Sequence, residues 1–101
     1  MSRCILAPSA RLDLKEISSY IARFNPDAAR RFNEKIKQQC KLLADFPNMG
    51  QSCDNFASAL RSFPVEDYLI FYRSIDGGVE VVRIVSGYRD LETVFLSEDI
   101  P

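Results

Sequence analysis

The 101-residue sequence contains no histidine and no tryptophan, and only three cysteines, four glycines and five prolines. Without histidine there is no Ser-His or Cys-His nucleophile and no imidazole ligand for a zinc hydrolase site. Cys4, Cys40 and Cys53 are odd in number and irregularly spaced, so they give neither a paired disulfide framework nor a CxxC metal motif; they read as reduced thiols. Strong charge of one sign is missing too. Thirteen basic against fourteen acidic residues leave a net charge of −1, which provides no overall positive field for a nucleic-acid backbone. No apolar run approaches the roughly 20 residues of a membrane span, and the start MSRCILAPSAR has too short an apolar segment for a secretory signal. A cytoplasmic location is expected, with no membrane contact.

What is present is the composition of a folded domain, 47% hydrophobic and 27% charged. The length predicts a single domain over residues 1–101, because two halves would each be too small to bury a core. Charge is unevenly placed: residues 1–60 carry nine basic and six acidic groups (+3), and residues 61–101 carry four and eight (−4).

The pattern of elements begins with a short apolar strand, Cys4 to Ala7, stopped by Pro8. Ser9 is the expected N-cap of a helix of about four turns, with Ala10, Leu14, Ile17, Ile21 and Phe24 recurring on one stripe. Asn25-Pro26 then caps and opens a second helix, with Ala29, Phe32, Ile36, Cys40 and Leu43 on its apolar side and Arg30, Lys37 and Lys41 on a basic face. The tight join makes a helical hairpin. Pro47 and Gly50 end the second helix, and QSCDNFASA reads as a loop. LRSFPV, YLIFYRS and VEVVRIVS are β-rich, the last two joined by a turn at Asp76-Gly77. The fold class is therefore α+β: an N-terminal short strand and a helical hairpin packed on an antiparallel β-sheet.

A two-residue turn at Asp76-Gly77 sets Arg73 opposite Glu80, Phe71 opposite Val82 and Leu69 opposite Ile84. That face is expected to meet the helices. The other, bearing Tyr68, Ile70, Tyr72, Val81, Arg83 and Val85, is expected to face outward as a semi-apolar surface that a partner covers.

The order strand, NP-opened hairpin, P..G exit, LRSFPVEDYLIFYR and VVRIVSGYRDL resembles the RelE/ParE superfamily of bacterial toxins, encoded beside an antitoxin; the resemblance runs from about Cys4 to Leu91. It implies the same α+β fold and one of two mechanisms. The RelE-like branch cuts messenger RNA on the ribosome with Lys and Arg side chains and a C-terminal Tyr. Here there is no basic residue from Leu42 to Leu60, the central-strand Arg of that branch falls near Tyr68, and its Tyr falls at Phe95, which carries no proton. Phosphoryl transfer needs cations and a titratable group at the reacting centre. Arg61 and Arg89 are what remain, with Tyr88 as the nearest phenol. The ParE-like branch poisons DNA gyrase by binding, and it matches better in YLIFYR and in the Arg-Asp pair after the last strand, although Ser86 stands where that branch has His.

The resemblance therefore implies a ParE-like toxin and not a catalyst. It would use no cofactor and no metal, inhibit DNA gyrase, and be neutralised in a hetero-oligomer by a ParD-like antitoxin through which alone it meets DNA. Tyr68, Ile70, Tyr72, Val81 and Arg83 are the expected antitoxin contacts, and Arg61, Tyr88, Arg89 and Asp90 the expected target contacts. The alternatives are a RelE-like ribonuclease and a non-toxic antitoxin-binding member of the superfamily.

Overall fold

A single residue, Ala7, separates the first strand from the first helix in the computed structural model of the protein, which describes residues 2–87. Strand β1 (Arg3–Leu6) leads into α1 (Pro8–Ala22) and α2 (Pro26–Asp45). A 3-10 turn, Pro47–Met49, follows, and then β2 (Gln51–Ser52), β3 (Arg61–Val65), β4 (Tyr68–Ile75) and β5 (Gly78–Ser86). The sheet order is β1-β5-β4-β3-β2. Four strands are antiparallel neighbours, as the turn signals imply, but β1 runs parallel to β5. The sheet is thus mixed, because the chain between β1 and β5 returns after the whole hairpin and meander instead of through a turn.

Local chemistry explains the helix ends. Pro8 occupies the first turn of α1, where a missing N–H costs nothing, and Ala7 is the N-cap without a side-chain bond; Ser9 lies inside the helix and caps nothing. Asn25 does cap α2, its Oδ1 accepting from the Ala28 N–H at 3.1 Å. The stripe of α2 is buried as the spacing predicts, with Phe32, Ile36 and Leu43 each at most 2% exposed. Burying such side chains contributes about 1.5–3 kcal/mol apiece, so packing and not propensity holds this helix. Phe24 departs from its expected place: α1 ends at Ala22, and the ring lies in the hairpin turn, 74% exposed, edge-on to Tyr20 with centroids 5.4 Å apart.

The expected turn is present, with Ile75 opposite Gly78 and Arg73 opposite Glu80. A Cβ at Gly78 would collide with the Arg3 backbone carbonyl, so this glycine lets the parallel strand approach. Farther along, a β-bulge shifts the register: Tyr72 pairs with Val81, but Phe71 pairs with Arg83 and Leu69 with Val85, leaving Val82 as the extra residue.

The helices cover the opposite face of β4 from the one expected, and the bulge places Ile84 with that face and Val85 on the other. Ile70, Tyr72, Val79, Val81 and Ile84 pack with α1 and α2 in one core, while Phe71, Val82 and Val85 form a second with Cys53 and Leu60, against which Phe56, Ala57 and Leu69 pack. The side expected to look outward is the main core. Both faces of β4 are about equally apolar, so alternation alone does not choose between them. Among the described residues, no helix is long and apolar enough to cross a membrane.

Candidate partner-binding groove

Most of the side chains expected to meet an antitoxin are interior. Ile70, Tyr72 and Val81 are each 0% exposed, and a side chain with no surface cannot touch a partner. The Tyr72 hydroxyl donates to the Pro47 carbonyl and accepts from the Gly50 N–H, both at 2.8 Å, which pins the exit of α2 to the sheet. Burial raises its pKa above the usual phenol value, with the Gly50 bond and Arg61 opposing in part. Tyr68 stays partly exposed at the start of β4, its ring 5.1 Å from that of Phe32. Burial, then the neighbouring Tyr20, Asp67 and Glu66, raise its pKa.

Arg83 is 5% exposed and is held inside by Asp13 of α1. Its Nε and a terminal nitrogen donate to the two carboxylate oxygens at 2.7 and 3.0 Å, and the Ile84 N–H donates to one of them at 2.9 Å. β1 pairs with β5 only as far as Val81, so Asp13 takes over the free edge of β5 where the shorter strand ends. Asp13 lies off the apolar stripe of α1 and nothing local marks it; the signal in the sequence is the Arg83 guanidinium among apolar neighbours, which demands an acid.

Arg61 is likewise occupied. One of its terminal nitrogens donates to the Gly50 carbonyl at 2.6 Å and lies 3.5 Å from the Asn48 carbonyl, so it braces the loop that Tyr72 holds. Tyr88, Arg89 and Asp90 lie outside the described residues. The structure therefore brings Arg61 and Tyr72 together, on a structural task, and sets Arg83 apart from them. Among the described residues, no three His, Cys, Asp or Glu side chains converge as metal ligands would.

The surface that the sequence did not single out lies on the other side of the hairpin. β1 is the end strand of the sheet, and its Cys4 and Leu6 are less exposed than Arg3 and Ile5. Beside it, two clefts of ≈ 460 and ≈ 400 Å³ share Leu6, Leu14 and Lys37 and so form one groove along β1, α1 and α2. Its floor is apolar, with Ile36 and the thiols of Cys4 and Cys40. Its rim carries Arg3, Arg11, Lys15, Lys37 and Lys41, all exposed, and among the described residues no carboxylate lines it. None of these five cations is in an ion pair among the described residues, whereas Arg30 is paired with Asp27 at 2.6 Å and Lys35 with Glu66 at 2.8 Å. An apolar trough with a cationic border suits an acidic amphipathic segment.

Comparison with known proteins fits this fold and this size. The chain is 33% identical over 84 residues to Toxin RelE2 of Caulobacter vibrioides, covering 83% of this chain and 93% of that protein. It is 26% identical over 81 residues to Toxin ParE1 of the same organism, covering 79% and 83%. A chain of the chromosomal ParDE TA system from P. aeruginosa shares the fold with a TM-score of 0.69 at 21% identity, over 85% of this chain and 96% of that one. The family profile described as the ParE toxin of the type II toxin-antitoxin system, parDE, matches residues 4–91. With nearly its whole length matched, the chain belongs to the ParE toxin family of type II toxin–antitoxin systems.

Proposed function

We propose that this toxin acts by binding DNA gyrase and not by cutting a phosphodiester, and that its ParD-like antitoxin silences it by laying an acidic amphipathic segment in the groove along β1, α1 and α2. What supports the first half is the fate of the cations. Arg83 is tied to Asp13 and Arg61 to the Gly50 carbonyl, and residues 42–60 contain no Lys or Arg. Phosphoryl transfer at the sheet would need unengaged cations around a proton donor there, and these two arginines are taken up by the fold. What supports the second half is the set of five rim cations, in no ion pair among the described residues, above an apolar floor. A disordered acidic segment would fold on this surface, its charges meeting the rim and its apolar residues the floor.

The target contacts we propose are Tyr88, Arg89 and Asp90, without Arg61, which the Gly50 carbonyl holds; of the expected antitoxin contacts, Tyr68 is the one left partly exposed. No cofactor enters this reading, DNA is met only through the antitoxin, and the cytoplasm is where toxin, antitoxin and gyrase meet.

A second reading, RelE-like cleavage of messenger RNA on the ribosome, is favoured by the 33% identity to a protein named Toxin RelE2. One side-by-side assay separates the two: supercoiling by purified gyrase, and transcript integrity on programmed ribosomes, each with the protein added. Loss of supercoiling with intact transcript supports the proposal. Cleavage with unaffected gyrase overturns it.

A further inference from the structure

Cys4 on β1 and Cys40 on α2 lie together at the floor of the groove, in the same apolar cluster, and neither is in a disulfide. Cys40 is 7% exposed, while Cys4 is partly open to the cleft, with Arg3, Lys37 and Lys41 lining the same space. Both thiols line this one cleft, and each perturbs the ionisation of the other. The interaction with Cys40 lowers the pKa of Cys4, against a smaller opposing effect of burial, while the interaction with Cys4 raises that of Cys40, which burial and the Cys4 charge raise further. A partly accessible sulfur with a lowered pKa, beside a second thiol whose pKa is raised, is the arrangement of an attacking and a resolving cysteine. Cys53 differs in each respect. It is buried in the second core, on the far side of the sheet, within 3.2 Å of Ser62 Oγ and 3.6 Å of the Gln51 carbonyl.

We infer that Cys4 and Cys40 are a hydroperoxide-responsive thiol pair whose closure to a disulfide narrows the groove floor and expels the antitoxin segment. The Cys4 thiolate attacks one peroxide oxygen and the O–O bond breaks. The departing hydroxide takes a proton to become water, leaving Cys4 as a sulfenic acid, oxidised by two electrons. The Cys40 sulfur then attacks the Cys4 sulfur, the S–O bond breaks, and the hydroxyl leaves as water with the Cys40 proton. Closure brings the two sulfurs to about 2.05 Å. β1 and α2 are drawn together beneath Lys37 and Lys41. The pair itself stands on the described geometry, while its coupling to the antitoxin rests on the groove reading above.

The test uses the full chain. Reduced protein is treated with hydrogen peroxide at low molar excess, remaining thiols are alkylated, and the digest is read by mass spectrometry. Affinity for the purified antitoxin encoded beside the toxin is measured before and after treatment. The expected result is a Cys4–Cys40 linked peptide with Cys53 alkylated, dimedone-trapped sulfenic acid on Cys4 in Cys40→Ser, and antitoxin affinity lowered at least roughly tenfold in the oxidised wild type only. Absence of the linked peptide, or equal affinity of the oxidised and reduced wild type, overturns the inference. If groove charge reversal, Lys37→Glu with Lys41→Glu, leaves the reduced protein's affinity unchanged, the groove reading falls and the coupling with it, while the linked peptide reports on the thiol pair separately.

Discussion

Asp13 fastens α1 to β5 through three hydrogen bonds to two nearly buried carboxylate oxygens. Removing one partner of such a pair leaves a buried charge unanswered, so Asp13→Ala should cost about 3–5 kcal/mol, read by urea denaturation. Replacing both residues, Asp13→Leu with Arg83→Met, should recover much of that loss, since a buried ion pair repays its own desolvation only in part. Tyr72 makes a comparable case. In Tyr72→Phe the Gly50 N–H is left without its partner, at a cost of about 1–3 kcal/mol. Its raised pKa also fixes a pH dependence: the unfolded phenol ionises near 10 and the folded one higher, so the folded state holds more protons there. Stability should be flat below about pH 10 and fall as pH rises from there through the folded pKa. Tyr72→Phe should flatten that alkaline limb in denaturation curves taken between neutral and strongly basic pH.

At the scale of elements, both helices and four of the five strands could be read from apolar runs, periodicity and turn residues, because signals such as Asn25-Pro26 and Asp76-Gly77 act locally and need no tertiary partner. Which face of the sheet the helices cover could not. Tyr68, Ile70 and Tyr72 are as apolar as Leu69 and Phe71, and the bulge at Val82 moves β5 by one residue so that Val81 and Ile84 share a side. Ile70, Tyr72 and Val81 proved interior because the helices cover their face, and Arg83 because Asp13 draws it in; the shift changes only which residues of β5 beyond Val81 join them. The parallel pairing of β1 and the two-residue β2 were equally hidden, since both depend on chain returns over long separations. The groove was partly visible. Lys37 and Lys41 were placed on a basic face of α2, but the facing wall from β1 and α1 exists only in the fold. Reversing Lys37 and Lys41 to Glu should weaken antitoxin binding by tenfold or more with the melting temperature nearly unchanged, since both are exposed. Calorimetry on the double variant checks it.

At the scale of the whole molecule, a net charge of −1 hides a basic first half and an acidic second half. The cations that border the groove all come from the first half, so attraction to an acidic partner is local and the rest of the surface contributes little to it. Exposed charges separated by more than a Debye length of about 8 Å are screened at physiological salt. Association with the antitoxin should therefore slow several-fold between low and physiological salt, mostly in the on-rate, as stopped-flow measurement would read.

The central claim is that the toxin harms by occupying a target, with its strand arginines committed to holding the fold. The most direct measurement is supercoiling by purified gyrase titrated with the toxin, beside cleavage of a message on programmed ribosomes, with and without antitoxin. The account predicts supercoiling lost in proportion to bound toxin, restored by antitoxin, and an uncut message; a transcript cut by this protein while gyrase runs at full rate would contradict it.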